Sequence, residues 1–194
     1  FTKLEKVTEA GEIKALSTAE AKEGYSLETF GGIFSLSRKA IINDDLGAFA
    51  RWGEMMGQAA AETEAGQLLA LLSANAGAGV TMEDGKALFH VDHGNLAATG
   101  AALSEATLDA ARQAMRTQKM MDGTTPVNVV PRFLVVSPAR ETAAEKLLTS
   151  IQANTTADVN PFGGKLSPIV EPRLTGNGWF IFGDPATAPV LEYA

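Results

Sequence analysis

A chain of 194 residues, 45% of them hydrophobic, can build one large cored domain or two small ones, which excludes wholesale disorder. A formal net charge of -7 argues against a surface made to neutralise nucleic-acid phosphates, although a local basic patch stays compatible with it. The absence of cysteine excludes disulfide bracing and thiolate chemistry, and no apolar run approaches the ~20 residues of a membrane span.

The chain starts at Phe1 with no signal-peptide pattern and ends inside PVLEYA, which reads as a strand, so a processed chain or fragment is expected. Residues 1–42 open with FTKLEKVTEAGEIKALSTAEAKEG, dense in Glu and Lys. Such a stretch cannot by itself offset an ordering cost of about 1–2 kcal/mol per residue. YSLETFGGIFSLSRKAII is more apolar and is broken at Gly31-Gly32. Two long strands joined near AEAKEG are expected, standing away from the core. Ile13, Leu16, Tyr25, Leu27, Phe30, Ile33 and Phe34 would then lie on a neighbouring subunit.

Asn43-Asp44-Asp45 supplies a cap and acidic first-turn charges for a long helix through LGAFARWGEMMGQAAAETEAGQLLALL, with a stop near Asn75-Ala76-Gly77. Leu46, Phe49, Gly53, Met56 and Ala60 share one face. Gly53, Gly57 and the alanines keep that face thin, and a close packing partner is expected there. In VTMEDGKALFHV, Asp84-Gly85 predicts a type I′ hairpin turn, with LFHVDHGN as the second strand and its exit. Ser104 and Glu105 start a helix, SEATLDAARQAMRTQKMMD, that Gly123 closes. RFLVV reads as a central strand. Ser137-Pro138 caps ARETAAEKLLTSIQAN, with Ala144, Leu147, Leu148 and Ile151 as its buried stripe. After the polar loop NTTADVNPFGGK come three strands, LSPIVEP, GWFIFGD and PVLEYA, the first two joined by a turn at 175–178.

LFHVDHGN holds both histidines. His90 and His93 offer two metal ligands at most, no cysteine adds a third, and residues three apart on a strand point to opposite faces. They are expected to shape the backbone, with Asp92 capping local donors and Gly94-Asn95 forming a turn. There is no G-x-S-x-G elbow, Gly163-Gly164-Lys165 lacks the P-loop Ser/Thr, and Gly77-Ala78-Gly79 follows a helix instead of a strand. Arg132 and Arg173 read as solvated rim charges, the methionines as core filler, and Trp52 and Trp179 as core. No catalytic, cofactor or metal residue is assigned.

The order of IINDDLGAFARWGEMMG, DGKALFHVDHGN, RFLVVSP, WFIFGDP and PVLEYA resembles the major capsid protein of tailed phages, specifically the Mu-like head subunit of phages and prophages. The resemblance implies an α+β fold of the Hong Kong ninety-seven capsid type. Residues 1–42 would be the extended loop, 43–124 the peripheral domain with its spine helix and hairpin, and 125–194 the axial domain, with the chain truncated at both ends. It implies hexamers and pentamers in a shell around double-stranded DNA held non-specifically, with scaffold, portal or decoration partners and no membrane. The subunit would be assembled in the bacterial cytoplasm and end in the virion. Some relatives cross-link a loop lysine to an asparagine; Lys14 and Lys22 lie in the matching segment, but no partner asparagine or acid is identifiable and no such site is carried over. Two other readings stand beside it: a metal-dependent hydrolase using His90 and His93, and an adaptor or scaffold module binding through the arm.

Overall fold

The computed structural model of the chain describes residues 24, 29–33, 35, 37–43, 51–120, 123–149 and 164–187. Two compact units emerge, one within Lys22–Leu88 and one within Phe89–Ala194.

In the first unit, helix α1 (Arg38–Ile42) occupies the end of the segment expected as extended strand. Arg, Lys and Ala are good helix formers, and Asn43 N–H donates to the Lys39 carbonyl at 3.1 Å. Asn43 thus bonds back into α1, and the expected start of the long helix, with Asp44, Asp45, Leu46 and Phe49, falls outside the described residues. Helix α2 (Trp52–Gly77, 26 residues) leaves helical geometry at Ala74, Asn75 and Ala76, where the sequence placed its stop. Asn75 and Ala76 are left-handed, and the Asn75 side-chain amide donates to the Gly79 carbonyl at 2.8 Å.

The expected hairpin follows in reduced form. Met82 N–H donates to Lys86 O and Leu88 N–H to Val80 O, each at 2.8 Å, on either side of a Thr81–Ala87 bridge. Its loop is a three-residue one, not the expected type I′ turn. Only Gly85 has positive φ (78°), and Gly85 N–H closes on Met82 O at 2.9 Å. Asp84 keeps negative φ while its carboxylate accepts from Lys86 N–H at 2.9 Å. Pairing stops at Leu88 because Gly79, at φ 81°, turns the partner chain back into the α2 cap. LFHV is thus not a strand.

The second unit is a small mixed sheet with two helices packed on one face, an α+β arrangement compatible with a capsid fold. Strand β1 (Pro131–Val136) is central, as expected of RFLVV, between β2 (Ser167–Val170), which is parallel to it, and β3 (Trp179–Gly183), which is antiparallel. The turn at 175–178 joins β2 to β3 as expected, but β1 lies between them. Alternation along β1 sends Leu134 and Val136 to the face that also carries Trp179 and Ile181. Helix α3 (Glu105–Thr117) adds Leu108 and helix α4 (Glu141–Leu148) adds Ala144 and Leu148, with Leu166 completing the core. The opposite face carries half-buried Phe133, Val135, Phe180 and Phe182; Phe89 lies 5.2 Å from Phe180, ring centre to ring centre. Arg132 is the extra residue of a bulge against β3, and its guanidinium pairs with Asp184.

Both helices of this unit are shorter than their sequence patterns. Ser104 caps α3 through a reciprocal box with Thr107, but the helix ends at Thr117. A second hairpin then forms: Met120 N–H donates to Thr125 O and Val127 N–H to Gln118 O, each at 2.8 Å, with Gly123 at φ 66°. Helix α4 ends at Leu148, where β-branched Thr149 turns extended and its hydroxyl bonds back to the Glu145 carbonyl. Ile151 and PVLEYA lie outside the described residues. Ser137 does not cap α4. It is buried, at 1% exposure, and its hydroxyl donates to the Gly176 carbonyl at 2.8 Å. With Arg140 Nε on Asn177 Oδ1 at 3.0 Å, it fastens the 175–178 turn to the corner after β1.

Candidate functional site

The histidine segment folds as a single 3-10 turn, Val91–His93, entered from extended His90 and left through Gly94 at φ 67°. Side chains three apart nearly eclipse in such a turn. The His90 and His93 rings accordingly meet edge to face with centres 5.8 Å apart. The expectation that they point to opposite faces fails, because it assumed a strand. The caps also differ from expectation. His90 Nδ1 accepts from Asp92 N–H at 3.2 Å, and Asn95 Oδ1 accepts from His90 N–H at 2.9 Å. Gly94-Asn95 do form the turn exit.

A recess of about 420 Å³ opens beside this turn, lined on one side by Val91–Gly94 and on the other by Ala114, Thr117 and the second hairpin. Sequence reasoning missed that hairpin, and hence the recess, because Gly123 was read as a helix stop. Asp122-Gly123 carries the same dipeptide signal as Asp84-Gly85. Among the described residues no group of three or more His, Asp or Glu is placed to hold a metal ion. Arg132 and Arg173, expected as solvated rim charges, are engaged by carboxylates: Arg132 with Asp184, and Arg173 Nη1 with Glu171 Oε1 at 2.8 Å. Neither is placed as part of an anion site.

The more informative surfaces are apolar and uncovered. Residues 53–64 of α2 are all exposed, with Met55 at 61% and Met56 at 49%. Nothing lies within 4 Å of a Cβ built on Gly53 or Gly57. The thin face therefore exists, but no described part of this chain packs into it, and Met55, Met56 and Met120 are not core filler. Trp179 does join the core, with its indole N–H on the Ala101 carbonyl at 3.1 Å; Trp52 is only half-buried. Phe30 at 58% and Ile33 at 99% are exposed in the N-terminal segment. No described helix is long and apolar enough to cross a membrane.

A subunit whose described residues leave a long helix face and several apolar side chains in water carries surfaces of the kind that contacts complete. Comparison with curated proteins and with solved structures gives no match. A family model described as phage capsid protein matches residues 20–194. That family is structural and non-enzymatic, which sets aside a hydrolase built on His90 and His93, and capsid membership implies multimeric shells and a place in the virion. The chain belongs to the phage capsid protein family and has a structural role in the capsid.

Proposed function

We propose that this chain is the major head subunit of a tailed phage or prophage of the Mu-like type, assembling itself into the shell that encloses double-stranded DNA. The observation that carries the reading is the capsid-family match across residues 20–194. The uncovered α2 face, with Met55 and Met56 in solvent, supports it, since a monomer gains nothing by exposing that surface. The arrangement we propose is the Hong Kong ninety-seven type. Residues 1–42 form the extended loop, 43–124 the peripheral region with α2 as its spine, and 125–194 the axial region. Burial of Leu108 with Leu134 and Val136 draws α3 toward the axial part. His90 and His93 serve the backbone in this reading, without a metal.

Partners would be further copies in hexamers and pentamers, with scaffold, portal or decoration proteins, and assembly would take place in the host cytoplasm. The net charge of -7 fits a wall that holds DNA by enclosure and not by dense phosphate contacts. Electron microscopy of the purified protein tests this. Closed shells, rings or sheets of regular capsomers are expected; a monodisperse monomer at concentrations where capsid subunits assemble would oppose it.

A further inference from the structure

Asn177 is the only asparagine in the chain that a glycine follows. The order matters because the backbone nitrogen of the next residue can attack an asparagine carboxamide, and a Cβ on that residue hinders the approach. Asn177 and Gly178 are both exposed, and no described atom lies within 4 Å of where a Cβ on Gly178 would stand. Two side-chain bonds fasten the 175–178 turn, one to the Gly176 carbonyl and one to the Asn177 carboxamide, and neither uses the Gly178 N–H. The carboxamide is also polarised. Arg140 Nε lies 3.0 Å from Asn177 Oδ1, and a guanidinium carries only donors, so the amide oxygen faces a fixed positive charge. That charge draws electron density from Cγ and stabilises the negative oxygen that forms when Cγ is attacked. We propose that Asn177-Gly178 is a self-modification site, at which the folded chain converts the carboxamide to a carboxylate with Arg140 as the activating cation.

The chemistry needs only water. The Gly178 nitrogen gives up its proton to solvent and bonds to Asn177 Cγ, whose oxygen takes the negative charge beside Arg140. The bond from Cγ to Nδ2 then breaks, and that nitrogen takes a proton and leaves as ammonia, so that a cyclic imide remains. Water opens the ring in either of two ways. Attack at Cγ returns the backbone to Gly178 and leaves aspartate. Attack at the Asn177 backbone carbonyl leaves isoaspartate, in which the main chain runs through Cβ and Cγ. Either product adds a negative charge to a chain of net charge -7. Their structural effects differ. Aspartate keeps the backbone path and turns the Arg140 contact into an ion pair. Isoaspartate puts an extra atom into the turn that joins β2 to β3, and so pulls on the 2.8 Å bond by which buried Ser137 holds the Gly176 carbonyl.

The test follows the full folded chain during incubation in mildly alkaline buffer. Peptide mass spectrometry reads the change from carboxamide to carboxylate at each asparagine, and an isoaspartate-specific methyltransferase reads the rearranged product. Asn177 should convert before the other asparagines and yield both products. Gly178→Ala, which has open space for its methyl group, should keep the fold and nearly abolish the conversion. Arg140→Met should slow it, and Arg140→Lys, which keeps a cation for the same oxygen, should restore part of the rate. The unsubstituted protein also gives a test that depends on no variant, by comparison of its folded and denatured forms. Conversion at Asn177 in the denatured chain alone would mean that the fold protects the site, and would overturn the proposal. So would an Arg140→Met chain that converts as fast as the original, or another asparagine that converts first.

Discussion

Ala76 holds φ 58° and ψ 35°, a left-handed conformation in which Cβ crowds the following carbonyl oxygen at a cost of roughly 1–2 kcal/mol. Its side chain is exposed, so no packing offsets that cost. Ala76→Gly should raise the stability of the helix end by about 0.5–1 kcal/mol, the relieved strain less the extra freedom glycine gains in the unfolded chain; a lower denaturation midpoint would contradict the strain. Gly79, three residues on, is the opposite case. At φ 81° a Cβ there would meet the Leu88 Cβ at 2.6 Å, so Gly79→Ala combines backbone strain with overpacking and should cost on the order of 2–4 kcal/mol. Ser137→Ala should cost only about 1 kcal/mol in the same measurement, because the Gly176 carbonyl it abandons is exposed and can take a water molecule. The helix stop at 75–77 was legible in sequence. The Gly79 contact was not, since it depends on a leucine that the hairpin brings back from nine positions downstream.

At the level of elements, the legible parts were those whose signal is local and unopposed. RFLVV reads as a central strand because its apolar run leaves no solvent face, and Ser104 with Glu105 reads as a helix start, to which the structure adds a reciprocal box between Ser104 and Thr107. Elements failed where one signal served two outcomes. Asp122-Gly123 ends a helix or turns a hairpin with equal facility, and only the pairing of Met120 with Thr125 decides between them. His90 and His93 fell to the same ambiguity, since a short apolar run continues as a strand only if a partner is opposite, and Gly79 removes it. The thin face of α2 was read as one that a close partner covers, and no described residue of this chain supplies that partner. This has a measurable consequence. Gly57 sits in open space, so Gly57→Leu replaces a poor helix former without a clash and should stabilise the isolated subunit by about 0.5–1 kcal/mol. If the face is kept thin for a neighbouring copy, the same variant should fail to form shells. A loss of subunit stability would instead mean that the face is covered within the chain.

For the whole molecule, the division between folding and assembly should fall near residue 42. Every buried apolar side chain among the described residues comes after it: Leu72 and Leu88 in one unit, and Leu108, Leu134, Val136, Ala144, Leu148 and Leu166 in the other. Before it, Phe30, Ile33 and Ile42 stand in solvent. Laid on a neighbour, such a segment can bury on the order of 1,000 Å², the scale of a specific interface. At ~25 cal/mol per Å² of apolar surface the gross gain is large, but ordering the segment offsets much of it, so each contact is weak and closure depends on many acting together. Deleting residues 1–42 should therefore leave a soluble subunit with an unchanged unfolding transition that no longer closes into shells. Calorimetry and electron microscopy on the same preparation read the two halves of this separately. Normal shells from the truncated chain would show that assembly rests on other surfaces, such as the α2 face, and a truncated chain that failed to fold would place the segment in the core.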